Sequence, residues 1–282
     1  MSFAADSADE QSRLRPGAPG KHPEFDRLAR TIWRLRQPDG CPWDKVQTHQ
    51  SIAKNMLEEA FEAVDAIEAQ DPDHLREELG DVLMQVLLHA QIAADAGEFT
   101  LDDVCRDLNE KLVRRHPHVF GELDASDTDE VLTIWDDVKK AERAGGKNDA
   151  ATEGLLDSVP RALPALMQAQ KISKRAAQVG FEWKTTQDVW DKVEEERGEF
   201  LAEKPGTAQA TMEFGDLLFA LVNVARKEGI DAEEALRMAN RKFRARWAQV
   251  EMQAQKASRE LESYTADELE VLWNVAKADE SL

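Results

Sequence analysis

Two acidic clusters in this chain share one design. Glu58-Glu59-Ala60-Phe61-Glu62 is followed, after 15 residues, by Glu78-Leu79-Gly80-Asp81. Glu195-Glu196-Arg197-Gly198-Glu199 is followed, after 13 residues, by Glu213-Phe214-Gly215-Asp216. Both read EExxE, a gap, then ExxD. On a helix, residues three apart lie about 60° apart around the axis and one turn along it. Glu59 and Glu62 therefore share a face, as do Glu78 and Asp81. Glu196 with Glu199, and Glu213 with Asp216, repeat the pattern. Two such helices packed antiparallel would bring four carboxylates to one seam. Like charges held together repel, and a divalent cation removes the conflict. The donors are all oxygen, which suits Mg²⁺ or Mn²⁺. A di-iron carboxylate bundle would want Glu-x-x-His on two helices, and no His stands in the fourth position here. The expected chemistry is therefore metal-assisted work on phosphates.

Cations and aromatic residues follow each cluster in the same order. Lys242 and Arg246 stand at i and i+4, on one helix face, and Lys111 and Arg115 match them. Such a pair alone is surface salt-bridge material; placed after a carboxylate quartet in both copies, it reads as a polyphosphate clamp. Asn240 and Asn109, just before, either fix a helix start or contact a ligand. Trp183 and Trp43 recur ahead of the clusters, in Gly180-Phe181-Glu182-Trp183 and Gly40-Cys41-Pro42-Trp43. Each could stack on a base or anchor a core. Trp273 could close over a site or dock the last helix. Glu195, beside the ligand pair, could orient an attacking water. His116 and His118, around Pro117, suit loop packing better than ligation.

The elements that must position these groups are helices. Leu79, Val82, Leu83, Val86, Leu87 and Ala90 form a stripe at steps of three and four, and Phe214, Leu217, Leu218, Leu221, Val222 and Ala225 repeat it. Alternating strand patterns are almost absent. Asp71-Pro72 reads as a helix start. Thr100 and Asp231 read as N-caps, and Asp231 with Glu234 has capping-box spacing. Gly97 and Gly229 read as helix ends. Pro72 and Pro205-Gly206 supply the turns between the paired helices. The expectation is an all-α protein of about ten helices: two tandem four-helix-type domains joined by a helical linker. The order Trp, EExxE, ExxD, NxK, Arg occurs twice, its offset drifting from 140 at the tryptophans to 131 at the lysines. Residues 1–22 read as a disordered tail, 23–120 as the first domain, 121–159 as a linker with a connecting helix, and 160–282 as the second domain. Ala144 to Asn148 reads as a flexible break.

The net charge of −20 argues against direct contact with a nucleic-acid backbone or an anionic membrane. An acidic protein that handles polyanions needs metal ions between the two. Cys41 and Cys105 are the only cysteines, in no CxxC pair, and read as reduced thiols of a cytoplasmic protein. No apolar run is long enough to span a bilayer, and the opening residues lack the apolar core of a signal peptide.

Several stretches are more specific than the acidic pattern: Gly40-Cys41-Pro42-Trp43-Asp44, Leu57 to Glu62, Glu77 to Asp81, Arg114 to Phe120 (RRHPHVF), Pro160 to Trp183 and Gly215 to Phe219. On these, from about residue 25 to 277, the chain resembles the MazG family of nucleoside triphosphate pyrophosphohydrolases with two tandem domains. The resemblance implies an all-α fold, homodimerisation and Mg²⁺-dependent cleavage of canonical and aberrant nucleoside triphosphates to a monophosphate and pyrophosphate. It implies that the second domain is the usual catalytic one, with metal ligands Glu196, Glu199, Glu213 and Asp216. Its triphosphate contacts would be Lys242 and Arg246, with Trp273 near the nucleotide. One departure stands out: a lysine expected four positions before Glu213 is Gln209. The first quartet, Glu59, Glu62, Glu78 and Asp81, is intact as a second metal site. A different reading makes the protein, or at least its first domain, a nucleotide-sensing or partner-binding helical module without turnover.

Overall fold

The computed structural model describes residues 3–145 and 154–279, and every regular element among them is helical. No helix among the described residues is long and apolar enough to cross a membrane. The chain divides into two units, Met1–Lys147 and Asn148–Leu282.

The first unit holds α1 (Phe3–Arg13), α2 (Pro23–Leu35), α3 (His49–Glu68), α4 (Pro72–Ala96), α5 (Leu101–Arg115), a single turn α6 (Pro117–Phe120) and α7 (Thr128–Gly145). The closest packing is between α3 and α4, joined by a short turn. Asp71 opens α4, its side chain accepting from the backbone N–H of Asp73 and His74, both at 3.1 Å. Pro72 follows at the first helical position, where its missing N–H costs nothing. Gly97 ends α4 at φ 72°, a left-handed cap that glycine adopts without strain. Ile32 of α2, Ile52 of α3, and Leu87, Leu88 and Ile92 of α4 form the buried core, with Phe25, Leu28 and Leu101 packed around them.

The second unit holds α8 (Ala165–Gln178), α9 (Thr186–Ala202), α10 (Ala208–Lys227), α11 (Ala232–Lys256) and α12 (Ala266–Asp279). Here α9 and α10 form the tight pair, and Pro205-Gly206 lies in the turn between them. Val189 and Val193 of α9 meet Ala220 and Val224 of α10 in the core, with Trp183 and Leu217 against them. Thr185 and Asp188 close a capping box at the start of α9, as Thr48 with Ser51 do for α3. Asp231 caps α11 through Glu234 N at 3.0 Å.

Three expectations change. The opening segment is not structureless: α1 forms within it, and Ala5 and Ala8 are buried where α1 meets α5. Its small residues let two helices approach, which composition alone does not reveal. Second, α7, read as a connecting helix, packs on α5 inside the first unit, as α12 packs on α11 in the second. Ala144 and Gly145 close α7, and the rest of the expected break at 146–148 lies outside the described residues. Third, the apolar stripe of α10 is wider than its own core. Leu217 and Val222 face inward, whereas Phe214, Leu218 and Leu221 are exposed.

Candidate functional site

Each helix pair brings three carboxylates together. In α3 and α4, ligand oxygens of Glu59, Glu78 and Asp81 all lie within 4.8 Å of one another. In α9 and α10, Glu196, Glu213 and Asp216 do the same. Glu78 and Glu196 are buried, at 8% exposure each. The quartets therefore close as trios. Glu62 and Glu199 sit one turn further along their helices, about 4.5 Å by the rise of an α-helix, and point to solvent. Both still feel the trio: desolvation, then the charges of Glu78 and Glu59, push the Glu62 carboxyl above its usual range. Glu196, then desolvation and Glu213, do the same to Glu199.

The polar groups that answer these charges differ between the copies. In the first, His74 Nε2 stands 2.9 Å from Glu78 Oε1, and Gln85 Nε2 donates to Glu59 Oε1 at 3.4 Å. Glu78 Oε2 and Gln85 Oε1 are buried with no hydrogen-bond partner among the described residues. A buried carboxylate oxygen with idle lone pairs is costly unless a cation or donor completes it. The donor set thus fits a hard divalent ion. In the second copy, Lys192 Nζ donates to Glu196 Oε1 at 2.7 Å and to Glu195 Oε1 at 3.0 Å. Those two carboxylates, Glu196 first, raise the Lys192 ammonium above its ordinary range. Gln209 Nε2 donates to Glu213 Oε1 at 2.8 Å, so the residue standing where lysine was expected still reaches the Glu213 carboxylate.

Ahead of each trio, the tryptophan loop is clamped by arginine. Arg36 Nε pairs with Asp95 at 2.6 Å, and its Nη1 donates to the carbonyl of Asp44 at 2.6 Å. Gly40 is required there, because a Cβ would collide with the carbonyl oxygens of Leu35 and Arg34. In the second unit Arg226 grips Glu182 with two bonds, at 2.6 and 2.8 Å. That bidentate contact holds the Glu182 carboxyl down at about 2. Lys227 Nζ donates to the Trp183 carbonyl. Trp183 itself packs on the core of α9 and α10, which favours the anchor reading over a base stack.

The downstream cations Lys242 and Arg246 both lie on α11 rather than on the α9–α10 pair. The Arg246 guanidinium stands 5.6 Å from the Trp273 ring centre, and Phe243 packs on the same ring at 4.8 Å. Lys242 is exposed on α11. Asn240 and Asn109 lie inside α11 and α5, so neither starts a helix. The first unit repeats the cation–aromatic pair: Arg115 stands 5.9 Å over Trp135 of α7. There Arg115 is also held by Glu142, with Nη2 to Oε2 at 2.6 Å, and Arg114 Nε joins Glu142 Oε1 at 2.6 Å. Arg115, chiefly, holds the Glu142 carboxyl down at about 2.

Residues 47–120, which span α3 to α6 and the first trio, match the family model of the MazG nucleotide pyrophosphohydrolase domain. The nucleoside triphosphate pyrophosphohydrolase of Escherichia coli K12 is 45% identical over 262 residues, covering 91% of this chain and 98% of that protein. The nucleoside triphosphate pyrophosphohydrolase/pyrophosphatase MazG of Thermotoga maritima is 42% identical over 90% of this chain and 95% of its own length. The chain belongs to the MazG family. Bacillus subtilis YabN is 50% identical over 260 residues, and the chain spans only 52% of that longer protein.

Within this MazG chain, four site residues escaped the sequence reading. Lys192 sits four positions before Glu196, one turn back, and that spacing was available as a signal. His74 sits four before Glu78 and was available in the same way. Trp135 is signalled by a repeat: Trp135 and Glu142 are seven apart, as are Trp273 and Glu280. Gln85 had no signal, because it reaches Glu59 across the helix pair.

Proposed function

We propose that this protein is a Mg²⁺-dependent nucleoside triphosphate pyrophosphohydrolase, releasing a nucleoside monophosphate and pyrophosphate. The observation that carries this reading is the duplicated carboxylate trio at a helix seam, one acid of each buried, in a chain whose full-length relatives bear that activity in their names. The second unit is the working half in this reading. Glu196, Glu213 and Asp216 hold the ion, with Glu199 available from the next turn. Bound there, Mg²⁺ (or Mn²⁺) supplies a polarised water and screens the phosphate charge. Lys242 and Arg246 take up charge on the leaving pyrophosphate, and Trp273 keeps the Arg246 guanidinium in place. Glu195 orients the water once Lys192 releases it. Asn240 contacts the ligand from the same helix. Purified protein with Mg²⁺ and a nucleoside triphosphate should yield monophosphate and pyrophosphate. Orthophosphate as the first product would overturn the reading.

The first unit also supports a second role, nucleotide sensing or partner binding without turnover. Its clamp residue Arg115 is already engaged by Glu142, so a triphosphate must compete with a carboxylate of the same chain. A homodimer is supported by the exposed apolar residues along α9 and α10, among them Trp190, Phe214, Leu218 and Leu221. A second copy of the same helix pair would cover them, and sedimentation velocity tests it. The unpaired thiols Cys41 and Cys105 suit the cytoplasm.

A further inference from the structure

We propose that Lys192 is a tethered cation that keeps the second carboxylate trio closed to metal until a nucleotide draws it away. The first trio, which among the described residues is met by an imidazole and an amide and by no ammonium, takes metal without nucleotide. This inference rests on the metal-centre reading above.

The repeat aligns Glu196 with Glu59 and Lys192 with Asn55. The lysine therefore has a polar, uncharged counterpart in the first copy. Lys192 Nζ sits 2.7 Å from Glu196 Oε1, and that glutamate belongs to the trio whose oxygens lie within 4.8 Å. An ammonium there does the electrostatic work of a bound ion. It cancels part of the negative charge that attracts a divalent cation, and it repels the cation itself. In the first copy the trio is met by the His74 imidazole and the Gln85 amide, while Glu78 Oε2 has no partner among the described residues. One trio is met by a full positive charge from within the chain; the other is met by an imidazole and an amide and keeps an unpartnered buried oxygen.

The lysine can leave. Its side chain is 35% exposed, on a flexible four-carbon stem, and the second bond to Glu195 is also near the surface. A triphosphate brings several negative charges at once and offers the ammonium a better partner than a single carboxylate. Metal and nucleotide would then enter the second site together. In this arrangement the catalytic half stays empty of metal between turnovers, and the first half stays loaded.

The test is Mn²⁺ binding followed by electron paramagnetic resonance, with and without a non-hydrolysable α,β-methylene triphosphate analogue. Without the analogue, the wild-type chain should show tight Mn²⁺ binding that Glu59→Gln abolishes and Glu196→Gln leaves alone. Adding the analogue should create further binding that Glu196→Gln abolishes. Lys192→Met should bind Mn²⁺ at the second trio without analogue, roughly tenfold or more tighter than wild type. Asn55→Lys should weaken the first trio in the same sense. Equal binding at both trios in the wild type, or no change in Lys192→Met, would overturn the proposal while leaving the metal centres intact. No Mn²⁺ at either trio, with or without analogue, would remove the metal-centre reading itself.

Discussion

Glu213→Gln separates the cost of the site from its use. Glu213 lies within 4.8 Å of both Glu196 and Asp216. Two unit charges at that distance repel by about 0.9 kcal/mol with the screening of bulk water, and by about 3.5 kcal/mol at an effective dielectric of ~20. The site is half open to solvent, and Lys192 offsets part of the charge on Glu196. The net relief expected is therefore near the lower end, about 1–2 kcal/mol, or roughly 3–6 °C in Tm for a unit of this size. The substitution keeps an amide oxygen for the Gln209 Nε2 donor, so no hydrogen bond is forfeited. Calorimetry in EDTA should show the variant melting above the wild type. With excess Mg²⁺ and the triphosphate analogue the order should reverse, because the wild type gains from binding and the variant has lost a ligand. Pyrophosphate release should fall at least a hundredfold, on the order of what loss of a direct electrostatic contribution costs. A variant that melts lower in EDTA would refute the claim that these carboxylates repel. A variant that keeps the full gain with Mg²⁺ and analogue would refute the claim that they hold metal.

Other predictions are more local. Glu196→Gln should abolish pyrophosphate release, whereas Glu59→Gln should leave turnover by the second unit intact; equal loss in both would assign chemistry to the first trio too. Arg246→Ala should raise KM for nucleoside triphosphates about tenfold or more, from the lost charge-assisted contact, with little change in Mn²⁺ binding. Gly198→Ala should stabilise the protein by roughly 0.5–1 kcal/mol, because a Cβ at this helical position meets nothing within 4 Å; denaturant melts will read it. Glu182 makes part of the stability acid-labile: its folded value of about 2 lies below the ordinary 4.5. That contribution is complete above the unfolded value and is lost as pH falls from 4.5 toward 2, so urea melts of Glu182→Gln should lose less stability over that window than the wild type.

Much of the site was legible because helical spacing is a strong local constraint. EExxE and ExxD place carboxylates on one face of each helix whatever the rest of the chain does. Asp71-Pro72, Gly97 and Pro205-Gly206 mark where the helices must stop and turn. The duplication then raised the acidic pattern above the background of solvated faces. Asn240 and Trp183 were less decidable, since a single residue type supports two roles until its surroundings are known. The structure puts Asn240 in mid-helix and Trp183 against a core.

What the sequence determined by itself was the all-α class, the two copies and the helices that carry the acids. These follow from periodicity and chain stops, both local properties. Only the tertiary structure decided which carboxylates meet. The seam of two helices is narrow, so three acids fit within it and the fourth, a turn away, faces solvent. Tertiary packing also set Gln85 on Glu59 and Glu142 on Arg115, contacts between residues far apart in the chain. The Lys192–Glu196 pair, four residues apart on one helix, is by contrast local, and packing added only the neighbours Glu213 and Asp216. Charge is written in the sequence, but which charges answer one another depends on distance, and distance is set by packing.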